Sequence, residues 1–107
     1  MAMSQLFAPF AGSTVNLTAS TTSSRVAKAS LPSSSSPAPH EMRVVNTGTV
    51  VVYIEFGDST VAASSATSMP ILPNTVESFM VNASQTHIAA VSSSGTPTLF
   101  FTTGLGV

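Results

Sequence analysis

The segment Thr49–Phe56 (TVVVYIEF) puts Val50, Val52, Ile54 and Phe56 on one side of an extended chain and Val51, Tyr53 and Glu55 on the other. Side chains alternate faces along a strand, so the first set reads as a core face. The second set is half apolar, as expected of a strand covered by a neighbour. No window longer than about ten residues keeps the 3–4 spacing of apolar positions that a helix needs, and Val, Ile, Thr and Ser far outnumber Leu, Lys and Glu. The chain is therefore limited to an all-β architecture.

Turn residues cut the rest into pieces of strand length. Thr21–Leu31 contains a first strand, ended by PSSSSPAP at Pro32–Pro39, which cannot continue a central ladder because proline offers no N–H. Glu41–Val45 and Thr49–Phe56 flank Asn46-Thr47-Gly48, a triplet suited to a short hairpin loop with Gly48 at positive φ. Val61–Ser68, small and polar, reads as an irregular crossing or a weak edge strand. MPILP at Met69–Pro73 reads as a short edge strand bounded by prolines, with a turn at Pro73-Asn74. Glu77–Val81, Thr86–Ser92 and Thr98–Thr103 complete the set, the last two joined by a turn at Ser93–Pro97. Seven or eight short antiparallel strands spaced by about ten residues predict a single β-sandwich or jelly-roll domain over residues 20–107. Residues 1–19 read as an extended N-terminal arm whose large apolar groups are Leu6, Phe7 and Phe10.

The polar surface of such a sandwich has to be hydroxyl rather than ionic. Charged residues are 7 % of the chain, against a usual figure of about 25 %, while Ser and Thr supply 33 of the 107 positions. Arg25, Lys28 and Arg43 stand against Glu41, Glu55, Asp58 and Glu77, a net charge of −1. No basic stripe is present to neutralise phosphates, which argues against nucleic acid as a partner. Near-neutrality also leaves little repulsion between copies, so self-association is expected. Without cysteine the chain has no disulfide framework, no thiolate nucleophile and no sulfur-ligated metal. Pro9, together with the absence of a basic residue before Arg25, argues against a signal peptide. The charge-free Ile88–Val107 is long enough to span a bilayer by count, but its SSSGTP excludes a spanning helix, and no membrane partner is expected.

Catalytic chemistry finds little support. Serines abound, yet no G-x-S-x-G elbow occurs, and SSSG at Ser92–Gly95 falls in what reads as a hairpin turn. His87 opens a strand and His40 lies beside the proline-rich loop, so both read as partly exposed, satisfied side chains. Glu55, Asp58 and Ser59 form the nearest approach to a metal cluster, without EF-hand spacing, and read as a strand end followed by a turn acid. With no tryptophan and Tyr53 as the single tyrosine, a carbohydrate-stacking site is weakly supported. The sequons at Asn16 and Asn82 match chance in a chain this rich in Ser and Thr. No enzyme activity, metal or cofactor is expected. Phe100 alternates to the face opposite Leu99 and Phe101, marking either a contact surface or burial against the edge of the second sheet.

RVVNTGTVVVYIEFG at Arg43–Gly57, MPILPNTVESF at Met69–Phe79, HIAAV at His87–Val91 and TTGLGV at Thr102–Val107 together resemble small virion proteins of tailed bacteriophages and prophages, over roughly residues 20–107. The resemblance implies a β-sandwich subunit made in the host cytoplasm and carried on the capsid surface. There it would act as a decoration (cement) protein that binds and stabilises the shell. The implied partners are the major capsid protein or another virion protein and the chain itself, as a homo-oligomer, most simply a trimer. No catalytic residues carry over. A neck, tail or fibre-attachment component is the alternative, followed by a secreted adhesin or lectin. Contact candidates are Leu6, Phe7, Phe10, Val15 and Leu17 in the arm, with Tyr53 and Phe100 on the sandwich. The arm would anchor by its apolar groups and by adding Ser13–Ser20 to a neighbour's sheet edge. On that reading, removing residues 1–19 leaves a folded oligomer that no longer decorates particles.

Overall fold

The computed structural model describes residues 7–29 and 40–105. Within them lie eight strands and no helix: β1 (Ala8–Thr18), β2 (Ser24–Ala27), β3 (His40–Asn46), β4 (Val52–Gly57), β5 (Met69–Ile71), β6 (Thr75–Val81), β7 (His87–Ser92) and β8 (Thr98–Leu105). They form two four-stranded antiparallel sheets. Sheet A has the order β1-β8-β3-β6, and sheet B the order β2-β7-β4-β5. The pairs β1 with β8, β2 with β7, β3 with β6 and β4 with β5 nest one inside the next, as when a chain doubles on itself and rolls up. That nesting, closed by β3 on β8 and β4 on β7, is the jelly roll.

Alternation sets the core. Along β3 the inward Met42, Val44 and Asn46 are fully buried, and β4 supplies Val52 and Ile54 in the same way. Leu99 and Phe101 of β8, Ile88 and Ala90 of β7, Ile71, Val81 and Ala19 complete the layer between the sheets. Central β7 is buried on both faces, and the outward Ala89 and Val91 need a separate cover. The Ser23 hydroxyl accepts from the Ala63 N–H, and Glu55 accepts from the Ser68 hydroxyl. The 58–68 connection is thereby tied to the flanks of β7 on both sides, so Val61–Ser68 is a crossing and not a strand.

Two expected hairpins are instead crossings between sheets. β3 lies in sheet A and β4 in sheet B, and the same holds for β8 and β7. Of the consecutive strands only β4 and β5 pair. The 46–51 turn is organised by the Asn46 amide, which donates to the carbonyls of Val50 (3.0 Å), Ile71 (3.2 Å) and Leu72 (3.2 Å), while its Oδ1 accepts from the Gly48 N–H (2.9 Å). Gly48 does not take positive φ, which occurs at Gly12, Gly95 and Asn74. Glycine is required at 48 because a Cβ there would collide with the ring of Pro97 in the neighbouring crossing. Thr47 donates to the Thr98 carbonyl through both N–H and hydroxyl, and the Ala19 N–H donates to the Pro97 carbonyl, binding three crossings into one end of the roll.

The described part of the expected arm, residues 7–19, is extended, as expected, but it does not project. Ala8–Thr18 is an edge strand of sheet A, paired with β8 from Ala8 opposite Leu105 to Thr18 opposite Thr98. Ser13 donates to the Thr103 carbonyl at 2.6 Å and Ala19 is fully buried. Residues 8–19 thus belong to the sandwich, and their removal would delete one of its strands and part of its core.

Candidate functional site

Inward alternation on sheet A leaves the other face to solvent. Register places Asn16, Phe100, Val45 and Val76 side by side across β1, β8, β3 and β6. The next row holds Thr14, Thr102, Arg43 and Ser78, with the Thr14 and Thr102 hydroxyls 2.7 Å apart. On the far side of the apolar row, Thr18 and Thr98 form a second hydroxyl pair at 3.4 Å. Beyond Arg43 come Gly104, Glu41 and Met80. Phe100 is 37 % exposed, Val76 56 % and Met80 74 %. The face is thus a row of apolar side chains between rows of hydroxyls, with one cation and one carboxylate. Such an arrangement binds by burial and by hydrogen bonding, not by ion pairing.

The contact candidates divide. Phe100 stands on this face, so its exposure decides against burial at the edge of the second sheet. Tyr53 is half-buried on the outward face of sheet B, between Val91 and Pro70. Val15 and Leu17 pack against the core. Phe7 lies 4.7 Å from the Arg43 guanidinium carbon, a cation–π contact inside the chain, and Phe10 meets His40 edge-on at 5.5 Å. Leu6 lies outside the described residues. The arm's described anchors are therefore engaged by their own domain. Val45, Val76 and Met80 were missed because alternation alone does not say which face of β3 or β6 a second sheet will cover.

The polar groups are mostly occupied by turns. The Thr60 hydroxyl donates to the Asp58 carboxylate at 2.6 Å and the Thr60 N–H at 2.9 Å, and these bonds hold its pKa below the ordinary carboxylate value. Desolvation lowers the pKa of Lys28. His40 is buried rather than partly exposed, because β3 opens with it facing inward beside Phe10. His87 is half-buried with its Nδ1 2.9 Å from the Thr86 hydroxyl. Among the described residues no three His, Asp or Glu side chains converge as a metal site would require. A cleft of about 230 Å³ at the crossing end is lined by Gly48, Thr49, Val50, Gly95, Thr96 and Pro97, and it offers hydroxyls and backbone but no titratable side chain. No known protein family, curated protein or solved structure matches the chain.

Proposed function

We propose that the chain is a structural virion protein that binds a phage shell and stabilises it, with the outer face of sheet A as the docking surface. The carrying observation is the outward row of exposed Phe100 and Val76 with half-buried Val45 between them, set between threonine pairs on a nearly uncharged sheet. A subunit used in many copies and bound once needs area rather than chemistry. Burying partly exposed apolar side chains contributes roughly 1 kcal/mol each by area, so affinity per copy is modest and oligomeric avidity multiplies it.

Two measurements test the reading. Gel densitometry of purified particles should give a stoichiometry in the hundreds. Six to twelve copies would assign the chain to the neck, tail or fibre attachment instead. Phe100→Asp should abolish binding to stripped shells while leaving the fold intact, and wild-type binding should persist at half-molar salt, where the Debye length falls to about 4 Å. Binding that survives Phe100→Asp or collapses in salt refutes the proposed surface.

A further inference from the structure

A β-sandwich of two open sheets has four edges, each a row of main-chain donors and acceptors able to pair with another chain unless something blunts it. Three of the four are blunted here. β2 is four residues long and carries exposed Arg25. β5 is three residues long with Pro70 at its centre. β1 is long, but it carries Pro9, and its register with β8 shifts between Pro9 and Thr14, where Gly12 takes φ 70°. β6 is blunted least: its one such device is the exposed Glu77, opposite Val44 on the inward side. All seven of its residues pair with β3 without a shift, from Thr75 opposite Asn46 to Val81 opposite His40. It contains no proline, glycine, lysine or arginine, and among the described residues no strand lies along its free side.

The side chains of β6 are also arranged symmetrically. Val76, Ser78 and Met80 face outward, and the two apolar members flank Ser78 at equal spacing. A two-fold axis normal to the sheet through Ser78 would lay β6 antiparallel against β6 of a second copy. Ser78 then faces Ser78, Val76 faces Met80 twice, Thr75 faces Val81 twice, and Glu77 faces Phe79 twice. Opposed pairs of this kind are the unit of sheet stabilisation. Neighbouring registers are poorer. Centring on Glu77 sets two carboxylates directly opposite each other, and centring on Phe79 puts Val76 against Asn82 and Met80 against Ser78. The Ser78 register leaves the two Glu77 side chains only diagonally related, about 7–8 Å apart.

The geometry points to β6 as a self-association edge that joins two copies of this chain in an antiparallel, two-fold register centred on Ser78, making one continuous eight-stranded sheet. The closure is isologous, so it yields dimers or even-numbered assemblies rather than the trimer that the phage resemblance implies. It also sets Val76 of one copy beside Met80 of the other, extending the apolar row of the outer face across the axis. The pairing is independent of the virion reading and can be tested without any shell.

Sedimentation of the wild-type chain at tens of micromolar should give twice the monomer mass of 10.9 kDa. Val76→Lys with Met80→Lys places like charges opposite each other twice and should weaken the dimer by about 100-fold or more. Both positions are outward and exposed, so the monomer should keep its circular dichroism and melting temperature. Val76→Lys with Met80→Glu creates two opposed ion pairs only in the Ser78 register, and should restore the dimer. Asn16→Lys on β1, at the opposite edge, should leave the dimer unchanged. A monomeric wild-type chain, a double-lysine variant that still dimerises, or a charge-paired variant no better than the double-lysine one each overturns the proposal.

Discussion

Replacing Asn46 by alanine tests whether one side chain holds together the end of the roll where sheets A and B exchange strands. Asn46 is fully buried, and its amide nitrogen lies 3.0–3.2 Å from the carbonyls of Val50, Ile71 and Leu72, with the Gly48 N–H on its oxygen. Two N–H bonds serve three carbonyls, so one bond is shared. Truncation frees four backbone groups, and each that stays dry costs about 1–3 kcal/mol. Val50 and Leu72 lie close enough to solvent to find water. The Ile71 carbonyl, whose bond is the buried one, is the worst placed, and with the part-buried groups only partly rehydrated the expected loss is near 3 kcal/mol. For a domain whose total stability is about 5–15 kcal/mol, that lowers the melting temperature by roughly 12–24 °C. Urea and thermal unfolding followed by circular dichroism read it directly. Asn46→Asp adds a sign test, because a carboxylate facing three carbonyls is disfavoured and its folded-state pKa must rise above the unfolded value of about 3.9. Its stability should therefore be greatest in acid and fall as pH rises through the folded pKa, opposite to the ordinary behaviour of an ion-paired aspartate. A loss under 1 kcal/mol for Asn46→Ala, or an Asn46→Asp variant with flat stability between pH 4 and 7, would show the network to be incidental.

Other consequences follow from particular contacts. Gly48→Ala should destabilise by about 1–3 kcal/mol through its collision with Pro97, whereas Gly12→Ala, open in space but at φ 70°, should cost about 1–2 kcal/mol by strain alone; equal tolerance of both in urea melts contradicts this. Thr60→Val should raise the Asp58 pKa toward its ordinary value in an NMR titration of the carboxyl carbon. Because the folded-state pKa is depressed, the local stabilisation is present above the ordinary carboxylate pKa and lost as pH falls through the folded value, so an unchanged titration rules out the hydroxyl as the cause. Deleting residues 1–19 should abolish cooperative unfolding, because β1 and buried Ala19 go with them; a truncated chain that still melts cooperatively would restore the arm as a separate unit.

Strand content was legible because alternation is local. Val52, Ile54, Met42, Val44, Leu99 and Phe101 fall inward as period two requires, and the short edge strand β5 stands within the MPILP segment, with Pro70 inside it rather than at its bound. Pairing was not legible. Asn46-Thr47-Gly48 has the composition of a hairpin loop, yet β3 pairs with β6, nearly thirty residues on, and with the still more distant β8, because only the roll covers both apolar faces at once. The same choice drew Ala8–Thr18 onto β8, ninety residues along the chain, and turned an expected arm into a strand. The candidate surface depended on the same step. Phe100 could be assigned to the face opposite Leu99 and Phe101 from its position alone, but its exposure, and its alignment with Val45 and Val76, exist only once the register of four strands is set. A sequence determines which side chains share a face of a strand, since that is geometry along the chain. Which face a second sheet then covers is a property of distant segments, and here only the tertiary structure decided it.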